Sequence, residues 1–443
     1  MEPAMKKTIL LPLLILLSGL LSAATCPADE LTIDEVVRQV LAHNERVEAK
    51  SELLASARAE AQASRGERLF RLDAESRIDY LKEEPFERFN GTPILVNDDR
   101  TAHHQLTLTQ PLFTGFALST RQQLAELGVD SARLELEQVR ADLTLEARLA
   151  ALDLLRRRAL LELARAQHEQ FLRHRDDALA MERQGLIARA DLLKAEVALA
   201  AAEQQKTRAE ADVSLAKSRL NQLMGRPEAT PVQLTTPASP ADSDPDLAFL
   251  QDEAVRRRPV MRQFDLEITK AEKAVRLARA PFYPQAALVA AYQRDGQDLL
   301  AEENDYRNDE NAVVGLRLSW NLFHGGADRA RAAAATSRLR AVSFLRADVE
   351  KQVRLQVEQA WRDLEVAIKN LATARQAVDQ ARENHRLSEL QFKEGLIPIA
   401  DLLEARSLQT EAETRLLEAR YGLLAARARL DRAVGNNSVE ADR

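Results

Sequence analysis

The sequence predicts a mainly α protein with a small β part. Duplicated long helical hairpins form an α-barrel shared between copies, and four strands per chain contribute to a shared transmembrane β-barrel; with three copies these are a trimeric α-barrel and a 12-stranded transmembrane β-barrel. Three observations predict it: a heptad stretch without glycine or proline, a repeat at constant spacing, and strands with one apolar and one charged face.

The heptad stretch runs from Val353 to Phe392. Val357, Leu364, Leu371 and Val378 form one row of a supercoil seam, and Val353, Ala360, Ala367, Ala374 and Ala381 form the other. Because no glycine or proline falls between Ala327 and Glu394, this reads as one helix of roughly 100 Å, too long for an ordinary globular core. It stops at Gly395-Leu396-Ile397-Pro398, where glycine lets the backbone reverse and proline suits the first turn of a new helix.

The same plan occurs earlier in the chain. Leu112-Phe113-Thr114-Gly115 returns as Leu322-Phe323-His324-Gly325, Gly185-Leu186-Ile187 as Gly395-Leu396-Ile397, and Gly225 as Gly435, all at an offset of 210. The parts before the strands match at 214, pairing Asn44-Glu45 with Arg258-Pro259 and Arg65 with Arg279. The chain thus divides into a signal peptide (1–24), repeat 1 (25–225), a proline-rich linker (226–245), repeat 2 (246–435) and a tail (436–443). Each repeat reads as opening helix, strand, loop, strand, long helix, reversal and returning helix. In repeat 1 the opening helix spans about 32–66, with Thr32 and Glu35 forming a capping box, and the returning helix spans about 189–224. The long helix carries the seam Leu143, Ala147, Ala150, Leu154, Leu161 and Ala164, which Arg157 breaks once.

Charged residues are 30% of the 443 and aromatics 4%, the balance of packed long helices. With a net charge of -7 and cations interleaved with anions, no basic face exists for nucleic acid. Lys6-Lys7, an apolar run to Leu21 and Ser22-Ala23-Ala24 make a secretory signal. Two readings of the next residues stay open, cleavage after Ala24 and a lipoprotein signal that makes Cys26, the single cysteine, an acylated first residue.

From Phe70 to Tyr80 apolar residues alternate with Arg71, Asp73, Glu75, Arg77 and Asp79. Leu316, Leu318 and Trp320 continue the apolar face in repeat 2, where Pro284 has to lie at a strand end. A soluble sheet could lay such a face on a core, but a rod of helices leaves little core to cover it, and the alternative is a membrane barrel with its apolar face in lipid. Four strands cannot close a barrel, and open edges are not tolerated in lipid, so several copies share one. Three copies give twelve strands, although the sequence permits other numbers.

At Thr109-Gln110-Pro111-Leu112-Phe113-Thr114-Gly115, at Leu318 to Gly326 and at both Gly-Leu reversals with Asp six residues on, the chain resembles the TolC-type outer-membrane efflux proteins. The resemblance implies a homotrimer in the outer membrane of a Gram-negative bacterium, extending into the periplasm. It would meet a periplasmic adaptor bound to an inner-membrane pump. The function implied is a passive exit duct of an efflux or type I secretion system, not an enzyme, with no cofactor. A periplasmic adaptor or structural coiled coil is the other reading, but it has no need of two strand pairs with apolar faces.

The resemblance places adaptor docking at the tips, at Gly185, Leu186, Gly395 and Leu396. It also makes Asp401 and Glu404, three apart on one helical face, a pore constriction. Six such carboxylates around a threefold axis would form a cation site, although Asp401, like Asp191, also suits a helix N-terminus. His103 and His104 point to opposite strand faces, and no histidine has a second ligand at metal-site spacing, so no metal site is expected.

Overall fold

In a computed structural model the described residues are 30–83, 86–95, 99–237, 246–302 and 310–436; the signal peptide and Cys26 lie outside them. In chain order the elements are β1 (Glu30–Leu31), α1 (Ile33–His43), α2 (Glu45–Gly66), β2 (Arg71–Tyr80), β3 (Phe86–Phe89), β4 (Thr92–Leu95), β5 (Arg100–Thr114), α3 (Ala117–Arg183) and α4 (Arg189–Leu223). Then follow β6 (Gln233–Leu234), α5 (Leu247–Arg257), α6 (Pro259–Ala278), β7 (Gln285–Gly296), β8 (Glu310–Ser319), α7 (Ala327–Lys393) and α8 (Ile399–Val434). The fold is mainly α with a small sheet, as the sequence predicts.

Both long helices, α3 and α7, have 67 residues and so extend roughly 100 Å. Along α7 the seam residues Val353, Val357, Ala360, Leu364, Leu371, Ala374 and Val378 are buried, and Ala367 and Ala381 half-buried. Small residues on one row let α8 lie close, and Leu423, Ala426, Leu430 and Val434 close that core. Repeat 1 has its own core, where Leu143, Ala147 and Leu154 meet Val36, Val40 and Leu220. Arg157, the break in the α3 seam, reaches Asp212 of α4 at 2.9 Å and Asp153 at 2.8 Å, so an ion pair crosses the hairpin there.

The opening helix expected over 32–66 is instead two helices. Asn44 adopts an extended backbone (ψ 127), accepts from Arg46 N at 3.1 Å as the cap of α2, and donates to Leu223 O at 3.1 Å. That last bond explains the break: it sets the start of α2 against the end of α4. Gly225 completes the joint, since its positive φ of 66 reverses the chain and a Cβ there would stand 2.8 Å from His43 O. In repeat 2 Arg258 and Pro259 make the matching break between α5 and α6.

The sheet order is β2-β5-β7-β8, so the repeats join through their inner strands, all antiparallel. Pro284 lies just before β7, as required of it. Pro111, inside β5, sits beside a register shift ending at Phe113. The first loop contains a β3–β4 hairpin, turned by Asn90 and Gly91 at positive φ, that the alternation did not announce. A short parallel pair, β1 with β6, ties the start of the linker back to repeat 1.

Candidate functional site

The two tips are built alike. Gly185 (φ 72) and Gly395 (φ 71) end α3 and α7, donating to Glu182 O and Phe392 O at 2.9 Å. Leu186 N then donates to Met181 O at 2.9 Å and Leu396 N to Gln391 O at 2.8 Å, the six-to-one bond that seals a helix end over a left-handed glycine. Both leucines point out of this closed turn, 64% and 73% exposed. Just behind them Ala178, Leu192, Ala195 and Ile399 form one buried cluster that holds the two tips side by side.

The third residue of each returning helix is the aspartate seen in the sequence. Asp191 is bound by Lys194 at 3.0 Å. Asp401 and Glu404 are both exposed and carry no ion pair among the described residues, so only the second tip leaves two carboxylates free.

Above the tips the contact between hairpins changes character. Arg406 is 3% exposed, and its Nε, like His385 Nε2, is buried without a hydrogen-bond partner. Burial holds the His385 imidazole below its usual range, with Arg406 adding to the effect and Glu389 and Glu413 opposing it. His174 is lowered by burial first, then by His385 and Arg406, against Asp177 and Glu389. This polar layer was not foreseen. Its signal is an arginine on the stripe Ile399, Leu402, Ala405, Arg406, where the period calls for an apolar residue.

At the other end, register resolves the sheet into two faces. One carries Leu72, Ala74 and Ile78 of β2, Leu106 and Leu108 of β5, Leu288 and Tyr292 of β7, and Val314, Leu316 and Leu318 of β8. It is open, with Val314 75% and Leu318 69% exposed. The other carries the ion pairs Arg71–Asp73 (2.7 Å) and Arg77–Asp79 (2.9 Å) and the contact of His103 with Asp295. His104, on the apolar face, bonds Leu299 O at 3.0 Å, so the two histidines part as expected. No cluster of potential metal ligands occurs among the described residues. Among them, also, no helix is long and apolar enough to cross a membrane.

The family profile described as outer membrane efflux protein matches residues 36–226 and again 250–436, once on each repeat. The chain is 27% identical over 339 residues to the alkaline protease secretion protein AprF of Pseudomonas aeruginosa, covering 73% of this chain and 68% of AprF. To protein CyaE of Bordetella pertussis it is 29% identical over 198 residues, covering 44% of this chain and 41% of CyaE, less than half of that relative. The solved CmeC outer membrane channel of Campylobacter jejuni superposes with a TM-score of 0.79 at 13% identity, over 91% of this chain and 86% of that one. With both repeats matched and the whole architecture shared, the chain belongs to the outer membrane efflux protein family.

Proposed function

We propose that this chain is one third of an outer-membrane exit duct, a homotrimer through which an inner-membrane pump, joined by a periplasmic adaptor, drives cargo out of a Gram-negative cell. The observation that carries it is the sheet: an apolar face open to solvent, a charged face behind it, and unpaired edges at β2 and β8, on top of helices of roughly 100 Å. Water penalises such a face, and lipid penalises such edges, so only a closed barrel of several copies satisfies both. Three chains supply twelve strands with the charged face toward the lumen. The names of AprF and CmeC, a secretion protein and an outer membrane channel, support the same reading.

The tips at Leu186 and Leu396 are the docking surface for the adaptor, and Asp401 with Glu404 lines the constriction. Nothing in this scheme asks the chain for catalysis or a cofactor. Purification from membranes tests it: the protein is expected as a heat-modifiable trimer that needs detergent and conducts ions in planar bilayers. A monodisperse monomer in detergent-free buffer overturns it.

A further inference from the structure

The duplication contains the residue-by-residue register of the joint between subunits. Adding 214 to β2 and 210 to β5 turns the pair Arg71↔Thr109 into Gln285↔Ser319 and Tyr80↔Arg100 into Arg294↔Glu310, the two ends of the β7–β8 ladder. The offsets found in the sequence are therefore also offsets of strand pairing. Between the repeats, β5 pairs with β7 in a register that includes Leu108↔Ala290, Leu106↔Tyr292 and His104↔Arg294. Applying the same offsets to that joint gives the pairing of β8 with β2.

We infer that β8 of one copy pairs antiparallel with β2 of the next, with Leu318 opposite Ser76, Leu316 opposite Ile78 and Val314 opposite Tyr80, and that β8 lengthens on assembly to about Phe323, opposite Leu72. This inference rests on the shared-barrel reading and specifies its seam; the occupant of each edge is a second copy of this chain.

Three features of the single chain support it. First, β5 runs to Thr114 beside β7, whereas β8 stops at Ser319 although its sequence continues with the same Leu-Phe pair. The shorter strand is the one paired on one side only. Second, Phe113 packs on Phe116 (5.3 Å between centroids), which packs on Tyr283 of repeat 2 (5.5 Å), while its counterpart Phe323 is 84% exposed. The residue that corresponds to Tyr283 is Leu69, itself exposed, and the transferred register brings Leu69 of the next copy level with Gly326, the counterpart of Phe116, so that Phe323 has no ring of its own repeat to pack on and meets the next copy near Leu72. Third, a Cβ on Gly115 would lie 2.4 Å from Ala280 O, while one on Gly325 meets nothing within 4 Å, as expected if the matching carbonyl, that of Gly66, arrives with the next subunit. On the lumen face the register sets Arg317, which has no ion pair among the described residues, opposite Arg77 and diagonal to Glu75 and Asp79. Arg77 is already held by Asp79.

Disulfide trapping in native outer membranes tests the register, using the full chain with Cys26→Ser. Leu318→Cys is combined in turn with Ser76→Cys, Ala74→Cys and Ile78→Cys, which share a face and differ by two residues. The 318/76 pair is expected to oxidise roughly tenfold faster than the others and to give a covalent trimer, because opposed Cα atoms stand about 5 Å apart and diagonal ones at about 7 Å or more. Leu108→Cys with Ala290→Cys, opposed within one chain, is the positive control. Faster linkage of 318/74 or 318/78, or no linkage while chemical cross-linking still yields trimers, overturns the register and leaves the shared barrel standing. Absence of any trimer sinks the shared barrel as well. Should a 318 variant fail to insert, Val314→Cys with Tyr80→Cys against Val314→Cys with Ile78→Cys asks the same question.

Discussion

Arg432, near the end of the last helix, holds Asp142 of the first long helix with Nη2 at 2.5 Å and Nε at 3.0 Å, a bond between the two repeats across 290 positions of sequence. The arginine side chain is 10% exposed and the carboxylate 46%. Arg258 lies in the same field: burial lowers its pKa, Arg432 lowers it further and Asp142 raises it.

This asymmetry predicts which partner matters more. Arg432→Met leaves a half-exposed carboxylate that water can solvate, whereas Asp142→Asn leaves the nearly buried Arg432 guanidinium beside the half-buried Arg258 without that counter-charge. We expect Asp142→Asn to cost about 2–4 kcal/mol and Arg432→Met about 1–2 kcal/mol. The temperature at which the trimer dissociates on a gel ranks them, and equal losses would contradict the reasoning.

At the tips, Leu186→Glu with Leu396→Glu puts two charges where an apolar partner surface is expected, without touching the hydrogen bonds that close the turns. Trimer yield and conductance should be unchanged and cell export of the pump's substrates lost, a drop of at least roughly tenfold in adaptor affinity. Unaltered export would refute docking there.

Asp401→Ala with Glu404→Ala removes six free carboxylates from a trimer, whereas Asp191→Ala removes three that Lys194 already neutralises. The double variant should conduct more and lose block by divalent cations roughly tenfold or more, with Asp191→Ala close to the parent. Single-channel recording decides, and unchanged block in the double variant refutes the constriction.

The buried imidazoles predict a pH effect. His174 and His385 have folded pKa values below the ordinary histidine value, chiefly through burial, so the folded form disfavours their protons. Their contribution is intact above about pH 6.5 and is lost as pH falls through the lower folded values, when two imidazolium groups face each other and Arg406. Protection from hydrogen exchange in residues 170–180 and 380–390 should fall between pH 7.5 and 5.5, and His174→Phe with His385→Phe should flatten that dependence. A dependence that survives the double substitution would assign it elsewhere.

Most of the architecture was legible because its signals are periodic or repeated. The rows at Val357 and Ala360, the glycines at 185 and 395 and the alternation from Arg71 to Tyr80 each follow from the local geometry of one helix, turn or strand, and the constant offset announced the duplication. The break at Asn44 was not legible as a break, since nothing local forbids helix there; what ends it is a bond to Leu223, 179 residues away. The β3–β4 hairpin, with Asn90-Gly91 at its turn, is local, but its four-residue strands do not alternate apolar with polar residues and so carry no strand period.

By itself the sequence determined where helices run, reverse and duplicate, and that one strand face is apolar, because these depend on spacing along a single chain. Only the tertiary structure decided that Asp142 meets Arg432, that Asp191 is neutralised while Asp401 and Glu404 have no ion pair among the described residues, and that His174 and His385 share a poorly satisfied polar layer. Such pairings depend on which faces of separate helices meet, and ridge-and-groove packing fixes that only once the whole bundle is assembled.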